Sequence, residues 1–415
     1  MSPTHERLRR ACVAVAAAGL LALPGTVNPA HGVATPGPSV PAPSSASPSP
    51  SPDGGSEFPQ LTPAVAAQLD TAVQKVLRET KVPGVVVGLW APGKGSYVRT
   101  FGVADKATGA PMETDFNFRI GSETKTFTVT ALLELVDQGK LALDDPIGKY
   151  IEGVPNGSRI TLRQLAGMRS GLYNYSEDPT FNKELTTSPK KYIPPRQLLA
   201  YSFKHPVQFE PGAQFDYSNT NLILLGLVVE KVGKKPLSEF IRQEVLEPAG
   251  LRRTLFPVDA GFPDPHPQGY TEQSASGKVV NATDWNPSWA WAAGAMISDL
   301  LDLRSWARTV ATGSLLTPAT QAERLKTTPM DIPGAGYGLG IFNVQGWIGH
   351  NGSLPGYESL TIYLPDYQAT LVVLLNTDIL SGGQEPSTLF GEAITSIVTP
   401  EHVYPGHKPP EPKPG

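Results

Sequence analysis

The sequence predicts an α+β fold within the α/β class. One antiparallel sheet is built from both ends of the folded body, helices cover it, and an all-helical region is inserted between. Two observations point there. Runs with strand character cluster near the start of the body and again near its end. The long stretch between them is helical in its apolar spacing.

Taken in order, Leu69, Val73, Val76 and Leu77 recur at helical spacing and open the body with an amphipathic helix. Strands at 85–90 and 97–103 follow, separated by the turn Pro92-Gly93-Lys94-Gly95. A helix over about 122–138 carries Phe127, Ala131, Leu132 and Leu135 and stops at Gly139. The middle adds helices at 161–168, 221–232, 237–246 and 295–312. The end returns to strands at 338–344, 359–364 and 370–376, and a last helix covers 386–398.

The flanks differ in composition from this body. Arg7, Arg9 and Arg10 precede a 14-residue apolar run, 11–24, too short to span a bilayer. With small residues around Ala30-His31-Gly32, residues 1–32 read as an export signal, and an uncleaved anchor is the alternative. Residues 33–58 are almost wholly Pro, Ser, Ala and Gly, a composition that holds a chain extended and buries no core. Residues 404–415 read as a second frayed end, so the folded domain is expected over 59–403. The expectation is a secreted protein, cell-wall associated or free, with no stable membrane insertion after cleavage.

The 415 residues are 40% hydrophobic and 17% charged, with a net charge of −4. That balance gives no electrostatic footprint for nucleic acid. The single cysteine, Cys12, lies in the signal segment, which excludes a disulfide framework and a thiolate metal site in the body. The histidines within 59–403, His205, His266, His350 and His402, do not form a metal motif, so no metal or cofactor is expected. No phosphate-binding loop, dinucleotide fingerprint or Gly-x-Ser-x-Gly elbow is present.

Ser122 and Lys125 stand three apart at the start of the helix over 122–138, a spacing that puts both on one face. A serine hydroxyl needs a neighbouring base to become a nucleophile, and a desolvated lysine can serve. The spacing alone is weak, because Ser188 and Lys191 share it in a polar stretch with no helix behind them. Two further motifs follow Ser122: Tyr217-Ser218-Asn219 in a loop that opens a helix, and His350-Asn351-Gly352-Ser353 before a strand.

The order Ser-x-x-Lys, Tyr-x-Asn, His-x-Gly resembles the penicillin-recognising serine hydrolases: DD-peptidases, class C β-lactamases and related esterases. Residues 160–172 (ITLRQLAGMRSGL), 288–298 (SWAWAAGAMIS), 337–341 (YGLGI) and 374–378 (LLNTD) are similar to segments of that family. The likeness covers about 65–400 and is greatest to soluble secreted DD-carboxypeptidases, which have His in the third motif. It implies the β-lactamase/transpeptidase-like form of the predicted fold.

The resemblance also implies roles. Ser122 would form the acyl-enzyme, with Lys125 or Tyr217 as the base. Asn219 would orient the substrate amide and Lys125. The N–H groups of Ser122 and Ser353 would form the oxyanion hole, with Gly352 of the third motif among the substrate-binding residues. His350 would close the cleft and carry protons or position substrate, and Trp289 would wall the pocket. The expected partners are a peptidoglycan stem peptide, a β-lactam or a small ester or amide.

One departure bears on the substrate. Close relatives place a cation directly after the YGLGI-like segment to hold a substrate carboxylate, and here that position is Phe342. No Lys or Arg occurs between Lys326 and Lys408. The sequence therefore leaves a carboxypeptidase first, an esterase or D-amino-acid amidase close behind, a β-lactamase third, and a non-catalytic penicillin- or peptidoglycan-binding protein as the reading of another class.

Overall fold

The computed structural model describes residues 57–404. The expected signal, most of the Pro-rich linker and most of the tail lie outside the described residues. Phe58 is 2% exposed and Tyr404 4% exposed, so the packed body extends one residue beyond each end of the expected 59–403.

Helix α1 (Pro63–Thr80) starts where the Thr62 hydroxyl accepts from the Val65 N–H and Pro63 takes the first helical position. Strands β1 (Gly84–Ala91) and β2 (Gly95–Gly102) form the expected hairpin. After the short β3 (Phe118–Arg119) comes α2 (Thr124–Asp137). The helical region holds α3 (Leu162–Ala166), α4 (Pro179–Thr187), α5 (Pro195–Phe203), α6 (Asn219–Gly233) and α7 (Leu237–Ile241). Two-residue strands β4 (Tyr270–Thr271), β5 (Val280–Asn281) and β6 (Ile297–Ser298) precede α8 (Leu300–Thr312) and α9 (Pro318–Leu325). The chain then runs through β7 (Thr328–Pro329), β8 (Ala335–Tyr337), β9 (Phe342–Val344), β10 (Trp347–Leu354), β11 (Tyr357–Leu364), β12 (Ala369–Leu375) and α10 (Pro386–Val398).

The main sheet has eight strands in the order β2-β1-β12-β11-β10-β9-β8-β7, and every pairing is antiparallel. The N-terminal hairpin thus joins the C-terminal strands through β1 against β12, as the sequence predicts. Strands β1, β11 and β12 are buried along their whole length. Helices α1 and α10 pack together, α10 lies on β11 and β12, and α8 packs against β10, β11 and β12.

Three expectations are corrected. The helix expected over 295–312 begins only at Leu300. Ile297 and Ser298 pair with β3 instead, and the Asp299 carboxylate then caps α8 by accepting from the Leu301 and Asp302 N–H groups. Of the strand expected over 338–344 only 342–344 is strand, β9, because residues 338–341 turn after β8 and Gly340 takes a positive φ of 68°. The third motif does not precede a strand but lies within one, β10.

Candidate active site

Helix α2 is preceded by a tight 3-10 turn, Gly121–Glu123, which carries Ser122. Gly121 has a φ of +51°, and a Cβ there would stand 2.6 Å from the Ser353 backbone nitrogen. A Cβ on Gly352 would fall 1.9 Å from the Ile120 carbonyl oxygen. Both glycines are therefore needed for the close approach of the Ser122 turn to β10. That approach sets the Ser122 turn against the backbone of Ser353.

Helix α2 is buried on nearly every side, and its polar side chains hold it in place. Thr124 Oγ1 accepts from the Met296 N–H, and Thr128 Oγ1 donates to the Ala292 carbonyl, so α2 clasps the 292–296 segment. On the sheet side Trp306 of α8 stacks on Phe127 at 4.0 Å and donates its indole N–H to Thr126 Oγ1. The buried Arg324 of α9 donates to Thr130 Oγ1 and to the Thr126 carbonyl.

Lys125 is fully buried within this frame. Its Nζ lies 2.8 Å from Ser122 Oγ, 2.7 Å from the Ala293 carbonyl and 4.9 Å from the centre of the Tyr217 ring. The carbonyl can only accept, so Lys125 donates there. A neutral amine in this position would keep one lone pair for the Ser122 hydroxyl proton.

Tyr217 sits just before α6, where the preceding residue, Asp216, donates its N–H to the Met168 carbonyl. Asn219 is the first residue of α6 and donates from Nδ2 to Ser176 Oγ. Asn174 Oδ1 accepts from the Asn219 N–H, the Ser176 N–H and Ser176 Oγ, and so fixes both residues. Ser122, Tyr217, Asn219 and Ser353 are each partly exposed, whereas Lys125 and His350 are buried. Solvent thus reaches the first four residues and not Lys125 or His350.

His350 on β10 places Nε2 3.0 Å from the Tyr337 hydroxyl and Nδ1 2.5 Å from the Asn351 carbonyl. Burial, with the nearby Lys125 charge adding to it, pushes its pKa down to about 3. The imidazole is neutral at pH 7. Its neighbour Asn351 donates to the buried carboxyl of Glu385 at the start of α10.

Trp289 is 8% exposed, packs against Phe181 at 5.9 Å, and its carbonyl accepts from the Tyr175 hydroxyl. Phe342 is 5% exposed and lies between His350 at 5.2 Å and Tyr404 at 6.1 Å. Any substrate contact by either ring is confined to a thin edge. Ser188 and Lys191 take no part in this arrangement; Lys191 pairs with Glu184.

Sequence reasoning assigned no role to Tyr337, to the Ala293 carbonyl, or to the Asn174–Ser176 pair that fixes Asn219. Tyr337 and Ala293 lie in segments already singled out, but nothing in their spacing announces a contact with His350 or Lys125. Among the described residues no group of three or more His, Cys, Asp or Glu is placed to hold a metal ion.

Known proteins share this arrangement of chain. A D-stereospecific amidohydrolase from Streptomyces superposes with a TM-score of 0.72 at 31% identity, covering 80% of this chain and 98% of that one. A D-amino acid amidase from Ochrobactrum anthropi SV3 superposes with a TM-score of 0.68 at 28% identity, covering 80% and 97%. Protein flp of Staphylococcus aureus (strain MW2) is 26% identical over 329 residues, 76% of this chain. The chain spans 64% of that relative's length. The Beta-lactamase family model matches residues 69–387, which hold the Ser122, Tyr217 and His350 motifs. With the fold and that match in agreement, the chain belongs to the beta-lactamase family of serine hydrolases.

Proposed function

We propose that this protein hydrolyses small D-amino-acid amides or esters through an acyl-enzyme on Ser122. The observation that carries the reading is the lack of a cation for a substrate carboxylate on the third-motif side of the cleft. No Lys or Arg occurs from residue 327 to residue 407, and His350 is held neutral. Arg324 lies beneath the site, but it is buried and bonded to α2. A buried carboxylate without a partner is costly, so a substrate lacking one suits this cleft better. The likeness to the amidohydrolase and the amidase supports the same reading.

In this reading Ser122 Oγ attacks the carbonyl carbon while its proton passes to Lys125 Nζ. The carbonyl oxygen becomes an oxyanion held by the N–H groups of Ser122 and Ser353. The C–N or C–O bond then breaks, and the leaving amine or alcohol takes a proton from Lys125 by way of the Tyr217 hydroxyl. Water adds to the acyl-enzyme by the same route, giving the free acid and restoring the Ser122 hydroxyl.

A second reading, D-alanyl-D-alanine carboxypeptidase activity on peptidoglycan peptides, is favoured by the His350-Asn351-Gly352-Ser353 motif. There the Ser353 hydroxyl, half-exposed beside the nucleophile turn, would take the carboxylate. The test is the full chain incubated with D- and L-amino-acid amides, a p-nitrophenyl ester and a D-Ala-D-Ala peptide. The proposal expects the D-amide to turn over at least tenfold faster than the L-amide and the peptide. Turnover of the peptide alone would replace the first reading by the second.

A further inference from the structure

We propose that Tyr337 is a positioning residue: by donating to Nε2 of His350, whose Nδ1–H is held by the Asn351 carbonyl, it completes a lock that removes the imidazole from proton transfer. The inference rests on the proposed acyl-enzyme site for its meaning, but not for its test.

The geometry leaves one assignment of protons. Nδ1 of His350 faces the Asn351 carbonyl at 2.5 Å, and a carbonyl oxygen has no proton to give. Nδ1 must therefore carry the hydrogen. In a neutral ring Nε2 then holds the lone pair, so the Tyr337 hydroxyl, 3.0 Å away, must donate to it. Tyr337 and His350 are each 2% exposed, so both bonds lie away from bulk solvent. Burial also pushes the Tyr337 phenol well above its usual range, which keeps the donated proton in place.

The groups packed around the ring act in the same sense. Lys125 of α2 opposes a positive charge on His350. The Tyr217 ring lies 6.3 Å away from the α6 side, Tyr337 5.8 Å away from β8, and Phe342 5.2 Å away from β9. None of them is an anion that would favour an imidazolium. Tyr337 also sets its edge against Tyr217 at 6.2 Å, so one ring steadies both the histidine and the tyrosine beside Lys125. With both imidazole nitrogens occupied, proton traffic is left to Lys125 and Tyr217. His350 serves as a fixed spacer between β10 and the cleft.

The test is long-range 15N–1H NMR of the histidine side chains in the full chain, with His350→Gln to assign the signal. The expected result is an Nδ1–H pattern for His350 that does not change between pH 5 and 8. In Tyr337→Phe, Nδ1 should keep its proton against the Asn351 carbonyl, while Nε2, now without its donor, should begin to titrate in that window. On the best substrate of the panel above, kcat should fall at least tenfold with KM within threefold. An Nε2–H pattern or a midpoint between pH 5 and 8 in the unmodified protein would overturn the lock. So would a Tyr337→Phe protein in which His350 Nε2 still does not titrate between pH 5 and 8, or one with an unchanged kcat. Absence of hydrolysis by the unmodified protein would remove the proposed function, whereas the tautomer pattern would still decide the lock.

Discussion

Lys125 Nζ stands 2.8 Å from Ser122 Oγ, inside a helix end that is buried on every side but the cleft. The relationship depends on the Ala293 carbonyl, which takes one lysine N–H and so aims the remainder of the amine at the serine. Lys125→Ala is expected to lower Ser122 acylation by about 10²–10⁴-fold, the range of a lost general base. Circular dichroism should show the helix content retained. Stopped-flow acylation with an activated ester checks this, and a rate within threefold of the unmodified protein would remove Lys125 from the base role.

Tyr217 lies over the lysine and opens onto the cleft. Tyr217→Phe keeps the ring packed against Tyr337 and removes only the hydroxyl. The expected outcome is that a fluorophosphonate still labels Ser122 while amide turnover falls about 10–10³-fold, as loss of a proton relay would give. If labelling is lost together with turnover, Tyr217 rather than Lys125 is the base.

The Ser122 turn and β10 meet through two glycines. A methyl group on Gly352 would stand 1.9 Å from the Ile120 oxygen, so Gly352→Ala must push the turn and the strand apart. Gly121→Ala adds the cost of a positive φ for a residue with a Cβ, about 1–3 kcal/mol. Both variants should lose most hydrolysis, and Gly121→Ala should also lower the urea midpoint. Activity near the original level in Gly352→Ala would mean that the turn and strand need not touch.

Burial sets a pH dependence of stability. Glu123 beside the nucleophile is raised by burial to about 8, Glu385 beneath Asn351 to about 7, and Asp378 to about 6. Such carboxyls stabilise the fold while protonated, and that contribution is lost as pH rises toward and through these values. His350, lowered by burial to about 3, acts oppositely: the unfolded chain takes up its proton below about 6.5, so stability falls as pH falls from there. The two effects oppose one another between about pH 4.5 and 6.5. Above that only the carboxyls act, so the urea midpoint should decline from pH 6.5 to 8.5. Glu123→Gln should flatten the decline, because the amide has no proton to lose over this range. A midpoint that rises over this range would contradict the assignment.

Much of the fold was legible in the apolar spacing. The first helix, the hairpin of β1 and β2, the last two strands and the last helix follow from Leu69, Val73, Val76, from 85–103 and from 359–398. Strand β10 escaped because Gly349, His350, Asn351 and Gly352 break any alternation. Those residues serve close backbone contacts and the cleft rather than a pleated face. Strand β6 was hidden in an apolar run that continues into α8, and only the Asp299 cap marks the change. The site motifs were visible because the proposed nucleophile, base and amide each need a particular side chain. The supports were not, because the Ala293 carbonyl is backbone and Tyr337 on β8 reaches His350 on β10 across the intervening β9.

The central claim is that Ser122 carries the acyl group. Intact-protein and peptide mass spectrometry after brief incubation with a D-amino-acid p-nitrophenyl ester tests it most directly. The account predicts one acyl adduct on the peptide containing Ser122, absent in Ser122→Ala and turned over in the unmodified protein. An equal adduct on Ser122→Ala, or hydrolysis that survives that substitution, would contradict it.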